Sequence, residues 1–162
     1  MRATSCTLVG VAERGAPELL AELARLGVLR QGEVILAHIV DTGARGEVDL
    51  PRGRLVHRPL PPHRARVMGA AERHAAAAAL AEATAAAKAL GAVVASTQLA
   101  DGEPGRALSA LAVEHGCSLV AVASRMEGWH GERPGPHSVG RTARFVVDHS
   151  PCPVLLVRGH GA

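Results

Sequence analysis

The sequence predicts a single α/β domain, a doubly wound sheet of five parallel strands in the order 3-2-1-4-5 with helices on both faces. Three observations lead there. Short, unbroken apolar runs, the mark of strands buried on both faces, recur along the chain. Segments with apolar residues at helical spacing lie between most of them. The length of 162 residues suits one domain with a sizeable core and is too short for two. Residues 1–162 are therefore read as one domain, with irregular connections over about 42–62 and 124–137.

The elements follow in order. "CTLVGVA" (Cys6 to Ala12) is the first strand. In "APELLAELARLG", Leu19, Leu23 and Leu26 recur at helical spacing, Pro17 suits a first turn and Gly27 a left-handed stop. "EVILAHIVD" (Glu33 to Asp41) is a second, more continuous strand. From Asp41 to Pro62 the pattern breaks, with Gly43, Gly46, Pro51, Gly53, Pro59, Pro61 and Pro62 among several arginines. The alanine-dense stretch from about His63 to Leu90 reads as a long helix, because alanine loses no side-chain entropy there. Its small face suits close packing on a sheet. "AVVASTQLA" (Ala92 to Ala100) is the third strand. "DGEPGRALSALAVEHG" starts on turn residues, places Leu108, Leu111 and His115 on one helical face and stops at Gly116. "SLVAVAS" (Ser118 to Ser124) is the fourth strand. A Gly- and Pro-rich loop runs to His137, Ser138 can cap a last helix reaching about His149, and "PVLLV" (Pro153 to Val157) is the fifth strand.

Composition narrows the function. Trp129 and Phe145 are the only aromatic residues, so the core is built from Leu, Val, Ile and Ala. A net charge of +3 is no argument for nucleic acid. The basic run Arg52, Arg54, His57, Arg58, His63, Arg64 and Arg66 lacks interleaved aromatics on which bases would stack, so it is read as solvated charge. The charges Glu72, Arg73, Glu82 and Lys88 interrupt the alanine helix and argue against a membrane span. No signal peptide is visible at the start, and a cytoplasmic protein is expected. Cys6, Cys117 and Cys152 lie far apart with no CxxC and read as small apolar residues in a reducing compartment. His130 and His137 share a loop with Trp129, but no further ligands stand in a readable arrangement, so no metal is expected. There is no G-x-S-x-G elbow and no P-loop lysine.

In the predicted sheet a ligand belongs at the carboxyl ends of the strands, between strands 1 and 4, where the order reverses. Here the residues resemble the universal stress protein family. "EVILAHIVD" is similar to that family's second strand, V-x-L-x-H-V-x-D/E. "DGEPGRALSALAVEHGCSLVAVAS" is similar to its third-strand exit, third helix and fourth strand, and "SVGRTARFVVDHSPCPVLLV" to its last helix and strand. The resemblance implies an adenine nucleotide alpha hydrolase-like fold, a stress-response regulatory role, and dimers pairing through the last strand, here Val154, Leu155, Leu156 and Val157. It also divides members into ATP binders and non-binders. Binders carry G-x2-G-x9-G-(S/T) before the last helix, whose free N–H groups and dipole suit phosphate.

Measured against that motif, Gly140 takes the final glycine and Arg141 the Ser/Thr position. Counting forward from the fourth strand puts Ala123 and Met126 at the two glycines, thirteen residues before Gly140 rather than nine. Gly128 and Gly131 supply a G-x2-G with eight residues before Gly140. Neither register fits, and Ala12 stands where binders place an aspartate after the first strand. Ile39 and Asp41 do match the positions that form the adenine and ribose pocket in binders. Ser138 is either a helix cap worth about 1 kcal/mol or a phosphate contact. Arg141 brings a cation to the positive end of a helix, unfavourable by up to about 1 kcal/mol if unpaired. An anion held between the guanidinium and the helix relieves this, as does an outward swing to water or to an acid such as Glu127 or Glu132. The expectation is a degenerate site with weak or absent ATP binding, a phosphate or sulfate ion still fitting at Ser138 to Arg141. The alternative is a member that binds ATP or another adenine nucleotide with the loop before the last helix, hydrolysing it slowly at most.

Overall fold

The computed structural model describes residues 5–42, 47–49, 55–57, 62–124 and 139–158. The main sheet has five strands. They are β1 (Cys6–Gly10), β2 (Glu33–Asp41), β5 (Val93–Gly102), β6 (Leu119–Ala123) and β7 (Val154–Val157). They lie in the order β5-β2-β1-β6-β7, and every pairing is parallel. Counting these five alone, the order is 3-2-1-4-5, as the element sequence requires. The helices are α1 (Ala16–Arg25), α2 (Pro62–Ala89), α3 (Pro104–Glu114) and α4 (Arg141–His149), with a 3₁₀ turn at Val28–Arg30.

The segment between β2 and α2 departs from the irregular connection expected there. It carries a short antiparallel pair, β3 (Glu47–Asp49) with β4 (Leu55–His57), in register Val48 to Val56. Each strand has three residues, too few to stand out among the flanking Gly, Pro and Arg.

Strand alternation divides the core in two. Val9, Leu36 and Ala121 face α1 and α2, where they meet Leu19, Leu20, Leu23, Leu80, Ala83 and Ala87. Leu8, Ile35, Val120 and Val122 face α3 and α4, where they meet Leu108, Ala112, Ala143 and Val146. In α2 the buried residues Ala76, Leu80, Ala83 and Ala87 advance by four, three and four, so a narrow, mostly alanine stripe lies on the sheet. The alanine density of this helix is thus a packing device at its C-terminal half. Its N-terminal half leaves Val67 and Met68 exposed.

Gly105 lets α3 approach α4 closely at Phe145. A Cβ at Gly105 would lie 2.6 Å from the Cβ of Phe145. Phe145 in turn stacks on His149, ring centroids 4.0 Å apart, and lies under the Arg106 guanidinium. Gly105→Ala is expected to lower stability by about 1–3 kcal/mol through overpacking, read from urea unfolding at constant m-value.

Candidate functional site

The carboxyl end of β2 meets the start of α4 on the α3/α4 face. Ile39 and Asp41, two residues apart on β2, share that face with Ala37. Ile39 is buried in the core there. Asp41, one pitch further out, clears the core and keeps about a quarter of its side chain exposed (28%). Gly140 is the N-cap of α4, with φ 88° and ψ 155°, a conformation reserved for glycine. Its carbonyl accepts from Arg144 N at 3.0 Å.

The residue at the head of the last helix is Gly140, and among the described residues no side chain caps it. Ser138 lies outside the described residues, as do Gly128, Gly131, Met126, Trp129, His130 and His137. The neighbouring helix end is closed differently. The Glu103 carboxylate accepts from Gly105 N at 3.1 Å and Arg106 N at 2.7 Å, capping α3 with its own acid.

Arg141, in the first turn of α4, donates from Nη2 to Asp41 Oδ2 at 2.9 Å. This answers the electrostatic problem of a cation at a helix N-terminus with an acid; Glu127 and Glu132 lie outside the described residues. The partner is the aspartate that closes β2. Of the sequence-read site residues, the fold thus brings Asp41, Gly140 and Arg141 together and puts Ile39 beneath them. Strand parity signals only that the residue two beyond Ile39 shares its face, and not which partner it takes. Ala12 follows β1, and Ala123 ends β6 with buried Ser124 behind it, so the switch point carries small side chains.

Sequence reasoning left His38 unused except as part of a motif. It points to the other face of β2, with Leu36 and Val40, and is 5% exposed. Its Nδ1 has no hydrogen-bond partner among the described residues. Burial pushes its pKa below the usual imidazole value, against the opposing pull of Glu13 and a hydrogen bond with the Val11 backbone. Among the described residues no group of His, Cys, Asp and Glu is arranged to hold a metal, and no helix is long and apolar enough to cross a membrane.

The family model described as the universal stress protein family matches residues 7–158. The chain belongs to the universal stress protein family. Among solved structures it resembles the universal stress protein UspA from Lactobacillus plantarum, at 20% identity and TM-score 0.68, covering 98% of this chain and 100% of that one. It also resembles the universal stress protein from Archaeoglobus fulgidus in complex with dAMP, at 19% identity and TM-score 0.58, covering 96% and 98%. A universal stress protein family protein from Arabidopsis thaliana with AMP bound aligns at 14% identity and TM-score 0.60, covering 96% and 92%. At these identities the likeness concerns the fold. No curated protein matches the sequence at a significant level.

The buried histidine gives this universal stress protein a pH dependence. The unfolded chain takes up a proton near pH 6.5, whereas folded His38 resists it. The unfolded state then binds more protons, so stability is full above about pH 6.5 and falls as pH drops through the lowered folded value. Urea midpoints measured from pH 8 to pH 5 are expected to fall below about pH 6.5, and His38→Gln to flatten that fall.

Proposed function

We propose that this universal stress protein is a dimeric stress-response regulatory module whose nucleotide site has degenerated, with weak or no ATP binding. The observation that carries the reading is the Asp41–Arg141 ion pair, 2.9 Å long, at the mouth of the switch point. It ties the strand position expected to meet ribose to the helix position expected to meet phosphate. Each group neutralises the charge the other would offer a nucleotide.

Magnitudes decide how much this pair can do. Arg141 keeps 71% of its side chain exposed, and an exposed pair contributes at most about 1 kcal/mol. Opening it therefore weakens a ligand by no more than about fivefold. The larger losses are attributed to Ala12 and Ala123, which lack the carboxylate and the close backbone approach that binders of the family are expected to use. Calorimetry with ATP, ADP and AMP is expected to give dissociation constants no tighter than about 1 mM. Arg141→Ala should shift them by at most about fivefold. Micromolar ATP affinity surviving that substitution would overturn the degenerate-site reading.

The second reading, an adenine-nucleotide binder, is favoured by a specific feature. Among the described residues no side chain caps the N–H groups at the start of α4, a place suited to phosphate, and the Archaeoglobus and Arabidopsis structures carry dAMP and AMP. Micromolar affinity lost on Arg141→Ala would make Arg141 a phosphate ligand and establish this reading instead.

Dimerisation is proposed through β7. That strand is one of the two edges of the main sheet. Leu155 leans on the α1/α2 cluster, while Val154 and Leu156 lean on the α3/α4 cluster. Both faces are thus partly covered, and the unpaired edge is a hazard unless a second copy takes it. Light scattering is expected to give a dimer mass, and Leu155→Lys to shift it toward monomer with the circular dichroism of the fold retained. A monomeric wild-type protein contradicts the proposal.

A further inference from the structure

The three cysteines, scattered in sequence, meet at the end of the sheet opposite the Asp41–Arg141 pair. Cys6 opens β1, Cys117 stands in the turn between α3 and β6, and Cys152 lies two residues before β7. Since β1, β6 and β7 are parallel neighbours, their N-terminal ends lie side by side. All three cysteines pack into the α3/α4 core cluster as free thiols. Cys6 Sγ and Cys117 Sγ are 3.0 Å apart. Cys6 is half-buried and Cys117 is buried.

The backbones beneath this pair are fixed. Ser118 N donates to Cys6 O at 2.8 Å, and Ser118 Oγ donates to the same carbonyl at 3.0 Å. Ser5 Oγ and Ser118 Oγ share a hydrogen bond of 2.8 Å. Cys117 N donates to Ala112 O at 2.9 Å, and Glu33 N to Ser5 O at 2.8 Å. A disulfide needs its sulfurs at about 2.05 Å, so the gap left to close is about 1 Å.

We propose that Cys6 and Cys117 form a redox modification site, a dithiol that a hydroperoxide converts to a disulfide across β1 and the α3–β6 turn. Cys6, the more exposed residue of the pair, reacts first as its thiolate. Its sulfur attacks one peroxide oxygen, the O–O bond breaks, and the second oxygen leaves, in the case of hydrogen peroxide, as hydroxide, which takes the proton released by the Cys6 thiol and becomes water. Cys6 becomes a sulfenic acid. Cys117 Sγ then attacks that sulfur, the S–O bond breaks, and a second water departs with the proton from Cys117. Two thiols have been oxidised and one peroxide reduced to two waters. Burial, with the Cys6 thiol adding to it, pushes the Cys117 pKa up to about 12. Cys117 therefore keeps its proton at neutral pH and acts as the resolving sulfur, so closure speeds up as pH rises. Cys152 stays reduced.

The test uses the full chain, purified reduced, treated with hydrogen peroxide, alkylated and mapped by mass spectrometry without reductant. The expected result is a Cys6–Cys117 peptide pair, an intact mass lower by two hydrogens before alkylation, and one alkylatable thiol in place of three, all reversed by dithiothreitol. Cys152→Ser should form the same disulfide, and Cys6→Ser should leave Cys117 reduced. Three alkylatable thiols after treatment, a Cys117–Cys152 disulfide, or Cys6 carried to sulfinic acid with Cys117 still free would each overturn the proposal.

Discussion

Everything in this domain is arranged around one central strand that must be dry on both sides. β1 has neighbours on both edges, and its Leu8 and Val9 are fully buried on opposite faces. A parallel strand in that position needs a helical layer above and below it. With almost no aromatic side chains, the layers close on the sheet through Leu, Val and Ala, and through short approach distances. The alanine stripe of α2 and the glycine where α3 meets Phe145 are two consequences of that constraint.

The same constraint makes the two ends of the sheet chemically different. Parallel strands send all their carboxyl ends to one side and all their amino ends to the other. On the carboxyl side the strand order reverses at β1, and Asp41 and Arg141 meet across the opening. On the amino side the chain has three cysteines and a serine hydrogen-bond network, Ser5 with Ser118 and Ser118 with Cys6. The first end carries the charge chemistry and the second the sulfur chemistry, held apart by the length of the strands.

The fold was legible because its strands are unbroken apolar runs and its helices show clear spacing or alanine density. The β3–β4 pair was not, since "EVD" and "LVH" hardly differ from the polar chain around them. Of the site, the positions Asp41, Gly140 and Arg141 were readable from the motif, but the pairing of the first and last was not. A long arginine reaches several acids, and only the register of β2 and the start of α4 select one. The cysteine cluster was hidden differently. Each cysteine lies at or just before the start of strand 1, 4 or 5, and those strands are neighbours in the expected order. The adjacency could have been drawn from topology alone, without any local motif to announce it.

What remains decisive is whether the carboxyl-end opening is a ligand site at all or a closed one. The most direct measurement is mass spectrometry of what the freshly purified protein releases on denaturation. A site closed by Asp41 and Arg141 releases no adenine nucleotide above background. Release of ATP, ADP or AMP near one equivalent per chain would contradict it.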